Sequence, residues 1–241
     1  RVGAVRPRRP PSPDHWLGTD GQGRDMLAVL LVALPQTLKI GLLAGFISLL
    51  AGVVLGLVAG FVGGWIDAAI RTAADVMMTI PGIAILVLIA ANVREMTVTL
   101  MAVIVAGLSW MIATRTIRAQ TLSLRERGYV QVAMLNGASA LRLVFVEVLP
   151  NLAPFIAASF VMTVSHAMLA TIGLEALGLG PQNELTLGVV IYWAQFYSAI
   201  VRGMWWWWGT PIAAMSLIFV GLMLTSIGMD RFVNRRLGAQ A

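Results

Sequence analysis

Five apolar stretches, each near the ~20 residues that cross the hydrocarbon layer of a bilayer, leave this chain few ways to fold. They run from about Leu38 to Val62, Ala74 to Val93, Thr97 to Ile112, Phe155 to Leu174 and Pro211 to Met229. Lipid offers no partner to a free backbone N–H or C=O, so spans of this kind are helices that pack on one another. The expected architecture is all-α, a polytopic membrane helix bundle with five spans. Composition agrees: 59% of residues are hydrophobic, 12% are charged, and mean hydropathy is +0.84, values a soluble domain with a polar shell does not sustain.

The arginines orient the bundle. Arg115, Arg118, Arg125, Arg127 and Arg142 lie between the third and fourth spans, Arg71 between the first two, and Arg231, Arg235 and Arg236 after the fifth, so these segments face the cytoplasm. A net charge of +6 carried in short inter-span segments argues against a nucleic-acid face. The same orientation puts the amino terminus outside, with Arg1, Arg6, Arg8 and Arg9 on the disfavoured side. Either another span precedes Arg1 or this terminus is unusual. Residues 1–36 are then an extracytoplasmic segment and 37–241 the transmembrane domain, with a cytoplasmic loop at about 114–153.

Within the first span, Gly41, Gly45, Gly52, Gly56 and Gly60 recur at helical spacing. Small residues let neighbouring helices approach to backbone contact, which matters where no hydrophobic drive pulls apolar helices together. Tight packing is the expected use, a substrate groove the alternative. Pro81-Gly82 and Pro154 read as kinks or boundaries.

Ionisable groups at membrane depth are few. His166 sits near the middle of the fourth span, where a charge is costly. A histidine satisfied inside the bundle is the expectation, a residue of the translocation path the alternative. Asp75 lies one turn beyond Arg71, an i,i+4 pair. Lys39 and Glu175 fall at outer span ends and should snorkel. A proton-coupled carrier would place carboxylates near the midplane, and none is there.

Enzyme chemistry finds no foothold, so no catalytic residue is assigned. The single lysine, Lys39, follows Leu38 rather than the Gly of a phosphate-binding loop. His15 and His166 lack metal-motif spacing, and cysteine is absent, so no metal or thiol site is expected. The outer segment from Gly178 to Trp208 holds the apolar run Leu187–Trp193 and four consecutive tryptophans, Trp205–Trp208. Indole rings favour the headgroup level, so this segment is expected to be an interfacial anchor or re-entrant helix.

Two stretches carry a family resemblance. An aromatic at Tyr129, then Gln131-Val132-Ala133, Gly137 and Leu149-Pro150-Asn151 resemble the coupling loop of permease subunits from ATP-binding-cassette importers. His15-Trp16-Leu17-Gly18-Thr19-Asp20 with Gly23-Arg24-Asp25 is similar to the HPLGTDxxGRD signature of one permease subunit in dipeptide, oligopeptide and nickel importers. Asp75 to Pro81 and Leu177-Gly178-Leu179-Gly180 extend the match over nearly the whole chain, while Gly228-Met229-Asp230-Arg231 is a degraded form of the family ending. Gln131 stands where the family has glutamate.

The resemblance implies the type I importer permease fold with six spans, one ahead of the signature, in a prokaryotic plasma membrane. It implies a homologous permease partner, two cytoplasmic ATPases that bind ATP and Mg2+, and an extracytoplasmic solute-binding protein, with no cofactor in this chain. A coupling helix at about Tyr129–Asn136 would dock on the ATPase, with Arg127, Tyr129, Gln131, Ala133, Asn136, Gly137 and Arg142 as its contact residues. Short peptides are the expected substrates, nickel chelates and oligosaccharides the alternatives within the class. A channel or proton-coupled carrier is the alternative outside it.

Overall fold

The computed structural model describes residues 6–238, with side chains described as far as Met229. The expected positions of Arg1, Arg231, Arg235 and Arg236 lie outside these limits. Ten α-helices follow one another: α1 (Met26–Val62), α2 (Gly64–Thr79), α3 (Gly82–Ala91), α4 (Val98–Gly107), α5 (Trp110–Arg125), α6 (Gly128–Leu135), α7 (Ala140–Arg142), α8 (Leu149–Leu174), α9 (Leu187–Phe196) and α10 (Trp205–Gly238). Two π-helical stretches, Leu143–Val148 and Glu175–Leu179, flank α8 and make Ala140–Leu179 one apolar run. Met26–Val62, Ala140–Leu179 and Trp205–Met229 are each long and apolar enough to cross a membrane; α2 with α3 and α4 with α5 are bent pairs, each a broken span or a re-entrant loop, and the number rises to five only if each pair is one span.

Several boundaries depart from the sequence reading. α1 starts at Met26 rather than Leu38, because Asp25 caps it and Pro35 is carried inside the helix. The second span is broken by 78° where Pro81 cannot donate, and the third by 48° between Gly107 and Trp110. Pro154, expected as a kink or boundary, lies inside α8.

Two compact units make up the chain. One gathers the residues up to Ala44, Ile83–Val105 and Ser165–Leu222; the other gathers Gly45–Gly82, Ala106–Val164 and the chain from Met223 onward.

In the first unit, Met26, Val29, Leu30 and Ala33 of α1 pack with Leu187, Val190 and Ala194 of α9 and with Trp206 and Trp207. Trp207 is 0% exposed, so the tryptophan run does not serve as an interfacial belt; only Trp205 is largely exposed, at 56%. α9 is the short outer helix that was expected, but it is seated in the core: Thr186 accepts from Val189 N at its start, and Leu187 N donates to Thr37 Oγ1 at 2.9 Å. Glu175 does not snorkel. It is fully buried against Gly180 and Gly188, with Thr186 as the nearby hydroxyl. Lys39 remains exposed.

The second unit is organised by the glycines of α1. A Cβ at Gly56 would lie 2.7 Å from Ile117 Cβ and 2.9 Å from Thr114 O, and one at Gly60 would lie 2.7 Å from Thr121 Cβ. Gly52 meets Ala113 in the same register, so α1 and α5 touch backbone to backbone, and Ser48 Oγ adds a bond to Ala106 O at 3.3 Å. The packing use of the stripe is therefore the one realised here. Leu57, Ile117, Val148 and Leu152 close the core beside it.

Candidate functional site

The loop after α5 is short on backbone freedom and rich in exposed side chains. Arg125 anchors its start by donating to Phe61 O at 3.0 Å and lying over the Phe61 ring at 5.8 Å. α6 then runs Gly128–Leu135 with Val130 fully buried as its inward anchor. Its other positions point outward: Leu135 is 87% exposed, Val132 57% and Tyr129 43%. Arg127, Gln131, Asn136 and Arg142 are exposed as well, and Ala133 is half-buried. All seven residues picked from the sequence thus lie on or beside one short helix. Leu135 and Leu141, 72% exposed, belong to the same surface and were missed. A large apolar residue in a loop between two apolar spans was the available signal.

Gly137 ends α6. Its φ of +76° lets Gly137 N donate to Met134 O at 3.0 Å and Ala138 N to Ala133 O at 3.1 Å, the paired bonds of a Schellman stop. Ser139 caps the next turn, accepting from Arg142 N at 3.3 Å. The glycine is there for its left-handed backbone. Partial burial pushes the Tyr129 phenol above its ordinary pKa, opposed by Arg127 and aided by Glu147, so it is a neutral donor at physiological pH.

His166 is not satisfied inside this chain. It is exposed on α8, on the same face as Met162 (51% exposed) and Leu169 (61%), and no side chain among the described residues hydrogen-bonds it. Asp75 also departs from expectation, meeting Arg115 at 3.7 Å rather than Arg71. The strong ion pair nearby joins Arg118 to both oxygens of Asp67.

The HWLGTDGQGRD segment folds into a cap on α1. Asp25 Oδ1 accepts from Leu27 N at 2.9 Å and Ala28 N at 3.1 Å, while its Oδ2 pairs with His15 Nδ1 at 2.7 Å. Burial alone would raise the Asp25 carboxyl, but the His15 contact and the two helix N–H groups outweigh it and hold the carboxyl below its ordinary value. Asp20, 1% exposed, binds Gln22 N and Arg24 N at 2.8 Å and Arg24 Nε at 2.5 Å. Trp206 Nε1 donates to Thr19 O at 3.1 Å.

Helices long and apolar enough to cross a membrane three to five times, with an exposed loop between two of them, are those of a multi-pass membrane protein. Residues 52–239 match the model of the binding-protein-dependent transport system inner membrane component, and the chain belongs to that family, which has the type I importer permease fold. It is similar to the oligopeptide transport system permease protein OppC of Mycobacterium tuberculosis and of Mycobacterium bovis, each 30% identical over 223 residues, covering 92% of this chain and 76% of the relative. The protein of the same description from Lactococcus lactis subsp. cremoris is 28% identical over 226 residues, 92% of this chain and 77% of the relative. The family places the chain in the plasma membrane.

Proposed function

We propose that this chain is the permease subunit of an ATP-driven, binding-protein-dependent importer of di- and oligopeptides. It would form the path with a homologous permease, while two partner subunits bind ATP and Mg2+ and carry out hydrolysis. The segment ahead of α1 would lie outside, available to the solute-binding protein. The exposed apolar surface of α6 is the observation that carries the coupling role. Leu135, Val132 and Leu141 are large side chains in a solvated loop, and covering them by a partner removes apolar area from water. Gly137 holds that surface in a fixed direction, so motion of the partner would pass to α5 and the π-helical stretch on which α6 packs. The relatives' oligopeptide transport names support the substrate class.

His166 fits the path reading. A polar ring facing lipid at membrane depth is costly, so its exposed face on α8 suits a partner subunit or a water-filled passage. The decisive experiment is copurification of ATPase subunits with this chain and ATP-dependent uptake of a labelled peptide, repeated with Leu135→Glu. Membrane insertion should be normal, and ATPase capture and uptake should both fall. Full capture and full uptake by Leu135→Glu would remove α6 from the coupling role.

A further inference from the structure

Between α2 and α5 lies a cleft of about 210 Å³, open to the surface on one side, lined by Arg71, Arg115 and Arg118 with Asp75 and Thr114. The three guanidiniums are not equivalent. Arg118 is clamped by both oxygens of Asp67, Nη2 to Oδ2 at 2.6 Å. Arg115 comes no nearer to Asp75 than 3.7 Å and to Met78 Sδ than 3.6 Å, both beyond a charge-assisted hydrogen bond. Arg71 is exposed and has no ion pair among the described residues. Three arginines against Asp67 and Asp75 leave one net positive charge, with two planar forks turned to one space and no close acceptor.

The depth of this cleft follows from α1. A helix of 37 residues is ~55 Å long against ~30 Å of hydrocarbon, so ~12 Å projects at each end when it is centred. Gly52 against Ala113 and Gly56 against Ile117 set Arg115 level with residues 52–56 of α1, ~9–15 Å short of its end at Val62. With α1 centred in this way, Arg115 falls at the phosphate layer of the leaflet on the side of the arginine-rich loop. α2 has the shape of an interfacial helix, with Asp67, Arg71 and Asp75 at i, i+4 and i+8 and with Trp65 79% exposed.

We propose that this cleft binds the phosphate of an acidic phospholipid of the cytoplasmic leaflet, gripped by Arg71 and Arg115, with Arg118 as a third charge fixed by Asp67. A phosphodiester carries one negative charge, which matches the surplus of the cleft, and a guanidinium fork fits its two free oxygens. A zwitterionic headgroup brings a cation as well and fits less well. The exposed surface of α6 and His166 of α8 lie on other elements.

The test is native mass spectrometry of the detergent-purified full chain exchanged into phosphatidylglycerol or phosphatidylcholine, with the double variant Arg71→Gln/Arg115→Gln beside it. Phosphatidylglycerol should be retained selectively by the unmodified chain. The variant should lose about fivefold in affinity per arginine, ~30-fold for both, with its melting temperature unchanged. Arg71→Lys/Arg115→Lys, which keeps the charge but not the forks, should recover part of the loss. Inorganic phosphate at millimolar concentration is the competing arm. No displacement assigns the site to lipid, whereas full displacement keeps the phosphate chemistry but assigns a soluble anion and overturns the lipid source. Equal retention of both lipids, or equal phosphatidylglycerol binding by chain and double-glutamine variant, overturns the site altogether.

Discussion

Gly56→Ala should destabilise the protein even though alanine is the better helix former. At this position the new methyl carbon would stand 2.7 Å from Ile117 Cβ, 2.9 Å from Ile117 Cγ2 and 2.9 Å from Thr114 O. Ordinary carbon contacts lie at ~3.5–4.0 Å, so α1 and α5 must separate by the better part of an ångström. Neither opposing atom is the tip of a flexible chain; one is a branched Cβ and the other is backbone. Overpacking of this kind costs about 1–3 kcal/mol, and the propensity gain from glycine to alanine offsets up to ~1 kcal/mol. The net of about 1–2 kcal/mol should lower the melting temperature by ~2–8 °C for a chain of this size. Gly228→Ala is the internal control, because that glycine lies in α10 with nothing within 4 Å of the added carbon. It should melt at or slightly above the parent, and thermal unfolding of both variants in one detergent decides the matter. If Gly56→Ala melts no lower than Gly228→Ala, the backbone contact between α1 and α5 is not what holds this unit together.

Three further outcomes are expected. Ser139→Cys, placed in a chain with no cysteine, should stay unlabelled by an impermeant thiol reagent on intact cells and react once the membrane is opened; labelling on intact cells would invert the topology. His166→Leu should leave complex yield unchanged and reduce uptake severalfold, because no side-chain hydrogen bond among the described residues is lost; lower yield with unaltered transport per complex would return it to a structural role. Asp25→Asn keeps an α1 cap, since asparagine caps as well as aspartate, but loses the charge facing His15. A carboxyl held below its ordinary value stabilises the fold above that value and stops doing so as pH falls through the lowered one. The parent should therefore melt higher than the variant at neutral pH, by an amount that shrinks to nothing in acid, and a gap that persists there would refute the pairing.

Apolar length and arginine placement were legible because bilayer thickness fixes both, and the α1 glycine stripe because close helix contact tolerates little else. The loop around α6 was legible in its residue types, but not the stop at Gly137, which only its φ of +76° shows. The tryptophans and Glu175 went astray for a common reason. A hydropathy window does not see tertiary packing: α1 and α9 cover Trp206 and Trp207, and Gly180 and Gly188 lie against Glu175. The exposed face of His166 was not legible, since depth along a helix says nothing of which face carries the residue. The long start of α1 was hidden because its cap draws on His15, ten residues before Asp25.

The bond from Trp206 Nε1 to Thr19 O joins residues 187 apart in sequence. A ribosome adding ~5–20 residues per second needs roughly 10–40 s to cover that distance. Over that interval Met26, Val29 and Leu30 have left the ribosome while Trp206 and Trp207, which will cover them, do not yet exist. This cluster is therefore closed only after most of the chain has been made, and the start of α1 must be sheltered by lipid or by the insertion machinery until it is. Loss of the final helix to premature termination would leave α1 with its Asp25 cap but with Met26, Val29 and Leu30 uncovered, a form that membrane quality control could recognise by that apolar face.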